Sequence, residues 1–269
     1  MKILINITIF LFGICLGSFY ACMGYRIPNK IKLTKPNSFC NHCKKPLKWY
    51  MNIPLFSYIF LKGKCYYCKK KIGISNFLLE LFTGLTFLLF YNMCGFTMNF
   101  FVLVVLVSVL AVTLISDICY YYISDRVIAL GILSIYIIHF IFEKSNFKIL
   151  EFTIAGIVMF VSMLCIKLLG DKIFKKESLG GGDIKLMGLM GLTLGGVITS
   201  FISLFISSLL ALVYSLFNRK NNIIPFGPFL IIGTIITYIV YVVYGFDFML
   251  IWIFYWITTN DLIKLKCKK

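Results

Sequence analysis

Acid is scarce in this chain. Ten of 269 residues are Asp or Glu, against 27 Lys or Arg. Histidine is scarcer still, with only His42 and His139. His139 stands alone in an apolar run, so a Ser–His–Asp hydrolase has no support here. The basic loop at 26–72 is too short for a doubly wound nucleotide domain, and no GxGxxG follows a strand in it. No repeat relates the two halves of the chain, which weighs against a transporter built from inverted repeats. What fills the sequence instead is apolar: 60% of residues are hydrophobic and the mean hydropathy is +0.93. That excludes an ordinary soluble domain.

A bilayer core needs roughly 20 mostly apolar residues per crossing helix. Stretches 3–23, 74–94, 98–116, 127–142, 149–170, 184–217 and 226–245 meet or approach that length, and 249–259 is short for a full span. Segment 184–217 is long for one helix and is interrupted at Gly195–Gly196. The expected architecture is an all-α polytopic membrane protein of about seven to eight transmembrane helices, carrying a small zinc-binding cytoplasmic loop domain. The first apolar run continues past Ser18 without a small-x-small site and reads as a retained span.

The formal charge of +17 does not point to nucleic acid, because the basic residues sit in short loops between spans. Twelve Lys or Arg and no acid lie between Arg26 and Lys71. Basic loops stay on the cytoplasmic side. Passes counted forward from that loop put Asp117 and Asp183 at one membrane face.

Those two aspartates are the candidate chemistry. Asp117 ends the apolar run 100–116; Asp183 closes the triple glycine Gly180–Gly181–Gly182 and opens the next apolar run. A carboxylate at a membrane boundary is costly to desolvate and is by default a functional hypothesis. Two that face each other share a proton, titrate as one pair and serve an aspartic protease. Gly180 and Gly182, lacking Cβ atoms, leave room for an extended substrate beside Asp183. The competing reading makes Asp183 a helix cap. Asp125, before Arg126, fits a cap better, and Lys185 marks the membrane boundary.

Ten cysteines occur, and four of them form a pattern. Cys40-x-x-Cys43 and Cys65-x-x-Cys68 lie in one loop, spaced as a four-thiolate zinc site requires. With so small a core, the loop would take much of its stability from the metal.

Together these pieces resemble the type IV prepilin peptidases. The resemblance rests on Gly17-Ser18-Phe19, Tyr25-Arg26-Ile27-Pro28, the CxxC pairs, Trp49-Tyr50-Met51-Asn52-Ile53-Pro54-Leu55, Asp117 with Ser124-Asp125, Gly180–Lys185 and Pro225-Phe226-Gly227-Pro228-Phe229. Asn41, Met51 and Ser124 depart from the family pattern. The resemblance implies a bifunctional enzyme that uses Asp117 and Asp183 to cut the basic leader from prepilins or pseudopilins at the cytoplasmic face of the inner membrane. It then N-methylates the new terminus with S-adenosylmethionine. Cys40, Cys43, Cys65 and Cys68 would hold structural zinc, and Glu80, the acid just after the loop, would contact the methyl donor. Partners would be the lipid bilayer and a pilus or secretion assembly machinery. The implied division is a first helix at 1–25, a loop domain at 26–72, a peptidase domain at 73–258 and a basic tail at 259–269. Two other readings stay open: a proton-coupled transporter, and a non-catalytic zinc-knuckle scaffold.

Overall fold

The computed structural model describes residues 1–35, 37–40, 42–143, 145–217, 225–242 and 245. Nine helices are described: α1 (Lys2–Arg26), α2 (Phe56–Phe60), α3 (Ser75–Cys94), α4 (Met98–Tyr120), α5 (Asp125–Phe142), α6 (Asn146–Phe174), α7 (Gly181–Leu194), α8 (Val197–Phe217) and α9 (Phe226–Val242). Six of them, α1, α3, α4, α5, α6 and α8, are long and apolar enough to cross a membrane. α9 is a shorter apolar helix, and α7, of 14 residues, is shorter still. The expected span at 249–259 lies outside the described residues.

α4 and α7 form the buried centre. Leu103, Leu106 and Leu110 of α4 and Leu186, Met187, Leu189 and Met190 of α7 are almost wholly enclosed. α1 and α3 pack tightly alongside: a Cβ at Gly17 would lie 2.9 Å from Glu80 Cα. In a membrane, where lipid is as apolar as leucine, such close backbone approach is what holds helices together.

The long apolar stretch 184–217 turns back on itself. α7 ends at Gly195, whose φ of +70° suits glycine, and α8 starts two residues later. α8 then runs antiparallel to α9, with Ser203 Oγ 3.1 Å from Thr234 Oγ1 and Ser207 bonded to the Leu230 carbonyl. This hairpin returns the chain to the end of the bundle where α7 began. It also brings the start of α9 there, beside the end of α4.

Candidate active site and metal centre

Helix α4 stops one turn after Asp117 because Tyr121 adopts a left-handed conformation and its N–H bonds the Asp117 carbonyl. The side chain of Asp117 is left at the buried end of the helix. Its Oδ2 accepts a hydrogen bond of 3.1 Å from the backbone N–H of Gly227, at the start of α9. A Cβ at residue 227 would lie 3.0 Å from that oxygen and 2.8 Å from Ile123 Cδ1, so only glycine admits this approach.

Asp183 reaches the same place from α7. It is buried, and it takes a hydrogen bond from the backbone of Gly180. Gly180 is the N-cap of α7, so one carboxylate oxygen fulfils the capping role weighed from sequence. The other, Oδ1, is buried with no hydrogen-bond partner. One oxygen is thus engaged at the helix start and the other is left free. Ile123 closes the gap between the elements: a Cβ at Gly182 would fall 2.6 Å from Ile123 Cβ.

The remaining expected residues sort themselves around this pair. Lys185 Nζ and Asp125 Oδ1 form an ion pair at 2.7 Å, both partly exposed. They pair with each other rather than with Asp117 or Asp183. The ion pair marks the mouth of a cleft of about 340 Å³ between α5, α6 and α7. Apolar side chains line most of it, and Gly156 and Gly188 contribute bare backbone. Glu80 is buried, and its Oε2 accepts the backbone N–H of Leu55 at 2.8 Å. Its carboxylate thus ties the loop to α3. Sequence reasoning missed Gly227 as a donor to Asp117, although the Pro225–Gly227 helix start was a visible signal.

The four loop cysteines converge. Their sulfurs all lie within 4.8 Å of one another, and Cys40 and Cys68 are 3.9 Å apart. Each CxxC is folded in the same way. The Cys40 N–H bonds Lys45 and the Lys44 N–H returns to Cys40; the Cys65 N–H bonds Lys70 and the Lys69 N–H returns to Cys65. Lys44 and Lys69 turn each knuckle in left-handed conformations. Burial opposes ionising Cys40 more than any single contact favours it, but the N–H groups of Cys43 and His42 and the neighbouring thiols together bring it down to about 6. The Lys70 N–H favours thiolate at Cys68, yet burial and the three other thiols push it up to about 11. Soft sulfur ligands in this number could hold a metal ion.

The comparison with known sequences fits this geometry. Residues 11–94 match the Bacterial Peptidase A24 N-terminal domain, and residues 104–216 match the Type IV leader peptidase family. A prepilin leader peptidase/N-methyltransferase of Vibrio cholerae serotype O1 is 31% identical over 245 residues, covering 84% of this chain and 93% of the relative. The chain belongs to the type IV leader peptidase family. The prepilin leader peptidase/N-methyltransferase of Bacillus subtilis is 29% identical across 86% of this chain and 92% of its own length. That of Neisseria gonorrhoeae is 28% identical across 82% and 85%. No solved structure matches the chain. As a type IV leader peptidase, the protein is a multi-pass membrane enzyme. The family's N-terminal match takes in the four cysteines, and its second match takes in both buried aspartates.

Proposed function

We propose that this chain cuts the basic leader from prepilins or pseudopilins, with Asp117 and Asp183 as the catalytic pair. The observation that carries this reading is the approach of two buried carboxylates to one end of the bundle, where Ile123 lies against both Gly182 and Gly227, one of the carboxylates having an unpartnered oxygen. Asp117, already accepting the Gly227 N–H, is the carboxylate that takes a proton from water. The hydroxide so formed attacks the scissile carbonyl carbon while protonated Asp183 donates to the carbonyl oxygen. Collapse of the tetrahedral intermediate passes a proton to the amide nitrogen as the C–N bond breaks, freeing a new N-terminus. The location of the pair at one end, rather than at mid-depth, favours proteolysis over proton-coupled transport. The positive-inside pattern supports assigning that end to the cytoplasmic face, and the membrane proposed is the inner one.

The second activity in the relatives' names, N-methylation, is proposed for this chain too and assigned to the loop at 26–72, with proteolysis assigned to 73–258. The loop has no acid with which to hold a sulfonium. Its ring faces do hold cations: lysine ammonium groups stand 5.1–6.0 Å from the rings of Phe39, Tyr67, Tyr50 and Tyr66. Tyr66 and Tyr67 are the residues we assign to S-adenosylmethionine, which supplies the methyl group, its sulfonium taking the place of a lysine at a ring face. Zinc is the metal proposed for the four cysteines, because tetrahedral thiolate coordination matches its preference.

The test is incubation of the purified protein with a peptide bearing a basic leader, glycine, phenylalanine and an apolar helix, read by mass spectrometry. Cleavage after the glycine, with a bell-shaped dependence on pH, is expected from a pair that needs one proton between two carboxyls. A methyl-tritiated donor should label the released phenylalanine. An intact peptide at every pH would end the proteolytic reading, and cleavage without label would end the methylation reading.

The cleft beside the ion pair is assigned to the apolar segment that follows the scissile bond. A Cβ at Gly188 would stand 3.5 Å from Phe160, an ordinary contact. Gly188→Ala should therefore narrow the cleft without breaking the fold. Steady-state kinetics are expected to show KM raised roughly tenfold, the cost of losing about 1.4 kcal/mol of binding, with kcat little changed. An unchanged KM would place the apolar segment elsewhere.

A further inference from the structure

The loop carries an apolar face that its metal knuckles do not explain. Through the turn at Trp49–Asn52 and helix α2, Met51 and Leu55 point inward and are buried. Trp49, Tyr50, Ile53, Phe56, Ile59 and Phe60 are exposed, Trp49 and Phe60 each at 79%. Six large apolar side chains bared within twelve residues form a patch that a soluble subdomain would hide.

The depth of this patch is fixed by two contacts with α3. The N–H of Leu55, at the entrance to α2, bonds Glu80, and the ring of Tyr58 lies 5.0 Å from that of Phe77. α3 begins at Ser75 and is one of the helices able to cross a membrane. At 1.5 Å per residue, Glu80 is about 7.5 Å along that helix from its start. α2 therefore lies level with the first two turns of a membrane-spanning helix, where headgroups give way to acyl chains. The turn that presents it is strained, with Leu55 at φ +60°, and the bond to Glu80 holds it there.

Charge completes the pattern. Glu80 is the first acid in the whole chain, and Lys48, Lys62 and Lys64 flank the patch. Trp and Tyr favour the membrane interface, and lysines near a surface favour anionic lipid.

We propose that residues 49–60 are an interfacial anchor, with their rings and aliphatic side chains in the leaflet at the α1/α3 end of the bundle and the flanking lysines on anionic headgroups. The four-cysteine knuckle is thereby held flat against the membrane surface. This does not depend on the proteolytic reading, and its test does not use activity.

The chain has three tryptophans, Trp49, Trp252 and Trp256, so the combined Trp252→Phe and Trp256→Phe variant leaves Trp49 as the reporter. In nanodiscs of phosphatidylcholine and phosphatidylglycerol, Trp49 emission is expected to be blue-shifted and severalfold weaker when the acyl chains carry bromine. Quenching should be smaller in phosphatidylcholine alone. Replacing Phe56, Ile59 and Phe60 by serine should remove most of it. Emission like that of an indole in water, insensitive to bromine, would overturn the proposal. So would blue-shifted emission insensitive to bromine, the signature of a protein partner or second copy over the patch. Equal quenching in the two lipid mixtures would overturn the role of the lysines.

Discussion

Replacing either Asp117 or Asp183 by asparagine is expected to lower the rate of leader cleavage by about 10³-fold or more, the scale set by loss of a positioned acid or base. The change is small in shape. The amide of Asp117→Asn would keep an oxygen able to accept the Gly227 N–H, and that of Asp183→Asn would keep one for the Gly180 backbone, so the helix ends should survive. What disappears is the ability to take or give a proton at a buried point. The measurement is single-turnover cleavage of the leader peptide, with thermal unfolding in detergent to show that each variant still folds. A third aspartate at the same end provides the control. Asp125 is paired with Lys185 on a partly exposed surface, where ion pairs contribute about 1 kcal/mol or less. Asp125→Asn should therefore change cleavage only severalfold. Near-normal cleavage by either of the first two variants would remove the proposed mechanism, as would an equal loss from all three.

Much of this arrangement was legible from the chain, and what was not has a common cause. Apolar runs gave the spans because a bilayer sets their length. The Gly195–Gly196 interruption marked the reversal between α7 and α8, although the sequence left open whether one or two helices lay there. Cysteine spacing brought four sulfurs together because each CxxC folds locally. The partners of the acids are different. Gly227 is 110 residues from Asp117, and only the packing of α9 against the end of α4 brings them together. Glu80 stood out in the sequence as the acid just after the loop, but its structural partner did not. Its bond to Leu55 depends on how α2 folds back over α3, which no periodicity records. The Lys185–Asp125 pair and the cleft behind it likewise arise from the splay of α5 and α6 over α7.

Removing the metal is expected to undo the loop and spare the bundle. Among the described residues between 26 and 72 the buried side chains are few: Arg26, Cys40, Met51, Leu55 and Cys65. A structural zinc site contributes about 10–16 kcal/mol at neutral pH, comparable with the whole stability of an ordinary domain, about 5–15 kcal/mol. So small a core does not replace that. Cys65 is the most enclosed of the four cysteines; the unmodified chain is expected to purify with about one zinc ion per chain and the Cys65→Ser variant with none. Elemental analysis reads this directly. Trypsin should then cut at the lysines of the knuckles severalfold faster. The bundle should persist, because the packing of α1 on α3 and the buried centre of α4 and α7 use none of these sulfurs. A chelator applied to the unmodified protein should reproduce both effects, and restored zinc should reverse them. Retention of a full complement of metal by the Cys65 variant, or unchanged resistance to trypsin once metal is gone, would show that the loop is held by its protein contacts alone.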